Sequence, residues 1–380
     1  MKKENIIDNP FHLKGYFGTK YFCDREDESL KLIQNAKNGT NTTLLSVRRM
    51  GKTGLIHHVF NKFKPEKQWK TIYIDIYATQ NLAEFTNELA SAILEVFPHN
   101  NSAGKKFMTF IKGLSPVISY DALTASPSIA FSFSQPKQYE QSIKGLFNFL
   151  DSQKQNVIVA VDEFQQIANY PEKNTEAILR TIIQSLSNVS FIFSGSHKHL
   201  LAEMFNSSKR PFFASTQILH LDVIDNDKYM KFIQKLFKSK GRTINDESID
   251  FILKWTRSHT YYTQALCNRV YSLERKDNQI EDILNACDDI LKEQEPIFYQ
   301  YRNLLTSPQW KLLKAIGKEG EVYHPTAQNF IFSYQLGTPG GVRRGLKSLL
   351  KKEMIYKKES KNGSYYLVYD CFLSKWLERI

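Results

Sequence analysis

Cysteine is sparse in this 380-residue chain, and the four present (Cys23, Cys267, Cys287, Cys371) are scattered without any CxxC spacing. That distribution offers neither a disulfide framework nor a zinc site, and it points to a reducing, cytoplasmic setting. Long hydrophobic runs are missing too. No stretch of 18 uninterrupted apolar residues occurs, so neither a membrane-spanning helix nor a membrane partner is expected. The opening Met1-Lys2-Lys3-Glu4-Asn5 turns polar at once and lacks the apolar core of a signal peptide.

Apolar residues make up 42% and aromatic residues 13%, enough to bury real cores and to exclude wholesale disorder. The length suits two or three domains. The net charge is +12 and is unevenly spread: from Arg302 onward there are fourteen Lys/Arg against six Asp/Glu. Such asymmetry suits an acidic partner such as nucleic acid, although a solubilising surface has the same composition.

Hydrophobic periodicity divides the chain in three. Over residues 1–223, β-rich runs (Thr42–Val47, Thr71–Tyr77, Asn156–Val161, Val189–Phe193, Gln217–Leu221) alternate with helical patterns (Lys52–Phe63, Leu82–Val96, Glu176–Leu186). That alternation predicts an α/β fold, a parallel sheet with helices on both faces. Residues 98–138 are Ser-rich with Ser-Pro turns and a hairpin-like Ser128–Phe133, and read as a surface insert, not a core element. Residues 224–301 carry helical patterns only and predict an all-α lid. In residues 302–380 three helical segments precede two strand-like runs joined through Asn362-Gly363, the order of a winged helix-turn-helix.

Ser46-Val-Arg-Arg-Met-Gly-Lys-Thr53 fits the phosphate-binding pattern GxxxxGK[ST] except for Ser46 in place of the first glycine. It follows a predicted strand and precedes a predicted helix, as the motif requires. Successive backbone N–H groups and the helix N-terminus would face phosphates, Lys52 would reach the β/γ-phosphates, and Thr53 would supply a hydroxyl for Mg2+. The loop thus makes Ser46, Arg48, Arg49, Met50, Gly51, Lys52, Thr53 and Gly54 candidate ATP contacts. Ser46 would be strained if its position needs a positive φ. The apolar run Val157–Val161 ends in Asp162-Glu163, a Walker B pattern. There Asp162 would serve Mg2+ and Glu163 would polarise the attacking water. Phe193-Ser194-Gly195-Ser196 ends another buried strand, where Ser194 would sense the γ-phosphate or orient water; a plain turn is the other reading.

With these residues in view, the chain resembles the archaeal-type AAA+ ATPases, relatives of the STAND signalling ATPases, in a version common in Bacteroides-like bacteria. The resemblance runs through Asn9-Pro10-Phe11 and Phe22–Glu26 (similar to a lead-in segment lying against adenine), Arg48–Thr53, Val161–Phe164 and Phe193–Ser196. It implies a P-loop NTPase core, ATP with Mg2+, and a basic position before the fifth strand. Arg210 falls there, as a γ-phosphate contact in cis or from a neighbouring copy, or else as a solvated loop arginine. It also implies a Gly-His-Pro-like motif in the lid. Ser258-His259-Thr260 keeps only the histidine, leaving His259 as a candidate nucleotide sensor.

The expected function is an ATP-binding and hydrolysing switch that couples nucleotide state to the winged helix. The alternative is a nucleotide-binding scaffold or signalling protein with little turnover. Arg343, Arg344, Lys347 and Lys351 on the third helix are the candidate DNA contacts. A protein partner or a homo-oligomer fits the same module. No second set of helicase motifs and no further metal-spaced carboxylate cluster supports a helicase or nuclease.

Overall fold

The computed structural model describes residues 8–113, 116–121, 127–131 and 136–380. The chain divides into two compact units, Lys14–Ile224 and Met1–Leu13 with Asp225–Ile380.

In the first unit the order is α1 (Glu26–Lys37), β1 (Thr42–Leu45), α2 (Lys52–Phe63), β2 (Trp69–Asp75), α3 (Leu82–Val96), α4 (Ser102–Lys112), β3 (Pro116–Tyr120) and β4 (Pro127–Phe131). Then follow α5 (Pro136–Asp151), β5 (Asn156–Asp162), a 3-10 turn (Phe164–Asn169), α6 (Thr175–Gln184), β6 (Val189–Ser194), α7 (Lys198–Asn206) and β7 (Gln217–His220). Five strands form one parallel sheet in the order β2-β5-β6-β1-β7. β5 shows why its sequence is an unbroken apolar run. Val157, Val159 and Val161 belong to one core with α3 to α7, while Ile158 and Ala160 face the other with α1 and α2. A strand covered on both faces must be apolar at every position. Each fully buried Val or Ile contributes about 1.5–3 kcal/mol.

Residues 98–138 depart from expectation. They contribute α4 and the antiparallel β3–β4 hairpin, and Phe107, Ile111, Ile129 and Phe131 join the main core. Two glycines allow this docking. A Cβ on Gly104 would meet the Pro98 carbonyl oxygen at 2.0 Å, and one on Gly145 of α5 would meet the Phe110 ring at 2.4 Å. The reading of this segment as a surface excursion is therefore corrected; Ser132 and Phe133 of its hairpin-like run lie outside the described residues.

The second unit contains α8 (Asn226–Lys238), β8 (Thr243–Ile244), α9 (Asp246–Trp255), α10 (Thr260–Tyr271), β9 (Asp277–Asn278) and α11 (Ile280–Asn303). A winged helix follows: α12 (Ser307–Glu319), α13 (Gln328–Ser333), α14 (Pro339–Lys351), β10 (Ile355–Ser360), β11 (Gly363–Val368) and α15 (Cys371–Leu377). The bundle and the winged helix share one unit because α15 fills the space between them. Phe372 packs on Trp255 and Tyr262, and Trp376 packs on Phe298 while donating its indole N–H to Glu295 at 2.9 Å. Asp370 caps α15, accepting from the Phe372 and Leu373 amides. The short β8–β9 pair is a small addition to a region read as helical only. Residues 8–13 also join this unit and not the sheet: Phe11 is buried against Phe237 and Tyr271, and Asn9 donates to the Asn268 carbonyl.

Candidate functional site: the C-terminal ends of the parallel strands

The strand order puts β6 between β1, which leads into the phosphate-binding loop, and β5, which carries the acids. Register does the rest. Leu44 pairs with Ser194, Val161 with Phe193 and Asp75 with Asp162, so the ends of β1, β6, β5 and β2 line up. Ligands of open parallel sheets sit at this edge, where helix N-termini also converge.

The loop from Ser46 to Gly51 closes through two left-handed residues, Arg49 (φ 62°) and Gly51 (φ 91°). Ser46 is not one of them, so serine carries no backbone strain there. Its hydroxyl instead accepts from Lys52 Nζ at 3.1 Å and donates to the Val47 carbonyl, which Lys52 also reaches at 3.3 Å. A buried ammonium is thus held over the loop by two neutral oxygens, Ser46 Oγ and the Val47 carbonyl, and a phosphate is a stronger acceptor than either. Arg48 and Arg49 are on the more exposed part of the loop, while Met50 is buried in the α1–α2 core.

Asp162 is the hub of the site. Its Oδ2 accepts from Thr53 at 2.7 Å and Tyr73 at 2.9 Å, and its Oδ1 accepts from Ser194 at 2.6 Å and the Glu163 amide at 3.0 Å. Four donors around a residue 4% exposed satisfy a carboxylate that would otherwise be costly to bury. Burial and the adjoining Asp162 push the Tyr73 phenol up, so it remains a donor. Glu163 occupies a left-handed conformation (φ 57°). Its Oε2 accepts from Gln165 Nε2 at 2.6 Å and from the Ser196 hydroxyl and amide at 2.8 and 3.1 Å. Gly195 makes this approach possible, because a Cβ there would fall 1.8 Å from Gln165 Oε1. Burial raises the Asp75 carboxyl, with Asp162 and Glu163 adding to the effect.

Lys52, Thr53, Asp162, Glu163 and Ser194 are therefore together. Tyr73, Gln165 and Ser196 complete the group, and the sequence motifs give no signal for the first two. Thr53 Oγ1 and Asp162 Oδ2 fit Mg2+, a hard cation that takes one or two protein oxygens beside substrate phosphates. Phe22, beside this helix, stacks on His58 with centroids 4.3 Å apart. Arg210 is elsewhere in the unit: its Nη2 lies 2.6 Å from Glu176 Oε1 and its Nη1 4.0 Å from Glu203. Among the described residues it has no ion pair with the loop or with Asp162 and Glu163. His259 belongs to the second unit, buried at the N-cap of α10 with its ring 4.7 Å from that of Tyr262. The preceding Arg257 and Ser258 both have positive φ. Arg257 donates to the Ser374 hydroxyl at 2.6 Å and the Val368 carbonyl at 3.3 Å, tying the bundle to the winged helix.

On α14, Val342, Leu346 and Leu349 are buried, while Arg343, Arg344, Lys347 and Lys351 are exposed and have no ion-pair partner among the described residues. Phe332 at the end of α13 is 86% exposed beside a cavity of about 950 Å3 lined by residues of α13 and the lead-in to α14.

A glycine-poor phosphate loop on β1, acids on β5, a polar strand end between them, and an α-helical bundle with a winged helix beyond define a P-loop ATPase of the AAA+ type. A family model described as an ATPase domain predominantly from Archaea matches residues 22–265, and the chain belongs to that family. A second model, described as a "probable winged helix domain", matches residues 296–379. No curated protein matches the chain. Among solved structures it is similar to a Walker-type ATPase of Pyrococcus abyssi, with 20% identity and TM-score 0.67 over 98% of this chain and 100% of that one. It is also similar to the ORC2 protein of Aeropyrum pernix in ADPNP–ADP complexes, with 13% identity and TM-score 0.61 over 98% and 96%. The ORC1 protein of Aeropyrum pernix in complex with DNA follows, with 14% identity and TM-score 0.50 over 94% and 93%.

Proposed function

We propose that the protein is an ATP-hydrolysing switch whose nucleotide state is read out through the winged helix, with DNA as the partner. The observation that carries this reading is the set of bonds linking Thr53, Tyr73 and Ser194 to Asp162, next to Lys52 and Glu163. In this reading the loop amides and Lys52 bind the phosphates, and Arg48, Arg49 and Gly54 border them. Thr53 and Asp162 hold Mg2+, which neutralises charge on the phosphates when bound. Glu163, once released from Ser196 and Gln165, orients the attacking water and takes its proton. Ser194 keeps Asp162 in place. Arg210 leaves Glu176 to meet a γ-phosphate, in the same chain or a neighbouring one, and His259 senses nucleotide from the bundle.

The DNA partner rests on four exposed cations of α14 that have no ion pair among the described residues and on the positive balance of residues 302–380. Cations that meet phosphates release counterions, so affinity falls steeply with salt. A second reading, a nucleotide-binding scaffold with little turnover, draws on one observation: both Ser196 donors and Gln165 hold Glu163 Oε2. Turnover measured with and without DNA separates the two. A protein that binds Mg-ATP but never turns it over, even with DNA present, is the scaffold.

A further inference from the structure

Arg180 lies on α6, one turn beyond Glu176, and is not part of the nucleotide site. Glu176 is already committed to Arg210. None of the Arg180 guanidinium nitrogens has a hydrogen bond or ion pair among the described residues, and Nε and Nη1 are closed off from solvent. Burial presses on this cation, lowering its proton affinity from the usual arginine value. A guanidinium with two of its three nitrogens closed off from water and no ion-pair partner among the described residues is costly, and arginine's fork of donors suits an oxyanion.

The surroundings supply room and further donors. Arg180 lines a cavity of about 260 Å3 together with Asn41, Gln184, Ser215 and the apolar walls of Ile183, Phe193, Phe212 and Ala214. Among the described residues, no acidic side chain lines it. Asn41 Oδ1 accepts from the Phe191 amide at 2.8 Å, so its remaining polar atom is the Nδ2 donor. Ser215 donates to the Phe212 carbonyl at 2.7 Å. The volume is below the roughly 300–1,000 Å3 of pockets that take drug-sized ligands, which excludes a nucleotide and leaves a small ion or acid. The lining reaches Asn41, just before β1, and Phe193, just before Ser194, so an occupant would touch the two strands that end at the nucleotide site.

We propose that this cavity is a second anion site, binding a small oxyanion, phosphate or carboxylate, with Arg180 as its charged group. The test is isothermal titration of the full chain with inorganic phosphate, and in parallel with acetate, at constant ionic strength. Lys52→Ala removes the competing contribution of the phosphate loop. Saturable one-site binding of either ion is expected in Lys52→Ala, weakened at least tenfold in Lys52→Ala/Arg180→Met. Phosphate alone binding assigns the tetrahedral ion, and acetate binding assigns the carboxylate. Absence of saturable binding by both ions, or affinity unchanged by Arg180→Met, overturns the proposal. Arg180→Met is accepted only with the circular dichroism and ATP affinity of the wild type. Should it misfold, Gln184→Glu, an exposed change that adds a like charge to the same cavity, must weaken the ion at least several-fold.

Discussion

Asp162 gathers donors from three elements, Thr53 of α2, Tyr73 of β2 and Ser194 of β6, and that convergence gives each neighbour a measurable weight. Tyr73→Phe deletes one donor to a buried carboxylate. A loss of about 1.5–3 kcal/mol, the usual worth of a hydrogen bond to a charged group, is expected in urea unfolding. An unchanged midpoint would mean that the phenol is not bonded to Asp162 in solution. Gly195→Ala places a methyl on Gln165, so that side chain must move and Glu163 loses a partner. Hydrolysis should change in Gly195→Ala while ATP affinity stays within about threefold, because the phosphate loop is untouched. Much of this site was legible in the sequence, since Lys52, Thr53, Asp162, Glu163 and Ser194 are adjacent in short motifs. Tyr73 was not, because only the β2–β5 register brings it to Asp162, and Gln165 was not, because its role depends on the missing Cβ of Gly195. The suspicion that Ser46 strains the loop fails on its ordinary φ; Arg49 and Gly51 carry the left-handed turns instead.

At the scale of elements, the buried strands declared themselves by continuous apolar runs, and their helices by periodicity and caps. Asn81 accepting from the Glu84 amide at the start of α3 is one example. Two of the helices not read from the sequence have clear physical reasons. α5 carries Gly145 in its middle, where the absent Cβ admits the Phe110 ring, and α15 is a seven-residue helix held by Asp370 and by its packing on both neighbours. α14 makes a prediction of its own. If its exposed face meets DNA, Arg343→Ala with Arg344→Ala removes two phosphate contacts, and the slope of log affinity against log salt should shrink by about 2. Filter binding or fluorescence anisotropy over a salt series measures this. A slope and affinity identical to wild type would leave α14 out of the DNA contact. Arg257, with its two bonds into the winged helix, should couple bundle and wing: Arg257→Ala is expected to destabilise this unit by about 1–3 kcal/mol.

For the whole molecule, no helix among the described residues is long and apolar enough to cross a membrane. Acid should weaken the fold. Burial lowers the proton affinity of His57 and His58, both on α2. Each therefore binds its proton less readily folded than unfolded, and stability falls as pH drops through the unfolded value of about 6.5 toward the folded ones. A thermal midpoint that stays flat from pH 7.5 to about 5 would contradict this, as would an unchanged slope in His57→Gln/His58→Gln. Ligand linkage adds a positive counterpart. Mg-ATP at about 100 times its dissociation constant should stabilise the sheet unit by about 2.7 kcal/mol, and Lys52→Ala should lose that gain. The central claim, a working ATPase centred on Asp162 and Glu163, is tested most directly by steady-state Mg-ATP hydrolysis of the wild type beside Glu163→Gln, with ATP binding measured on both. The account predicts at least about a hundredfold loss of turnover in Glu163→Gln with nucleotide affinity retained. Equal turnover in the two proteins would contradict it.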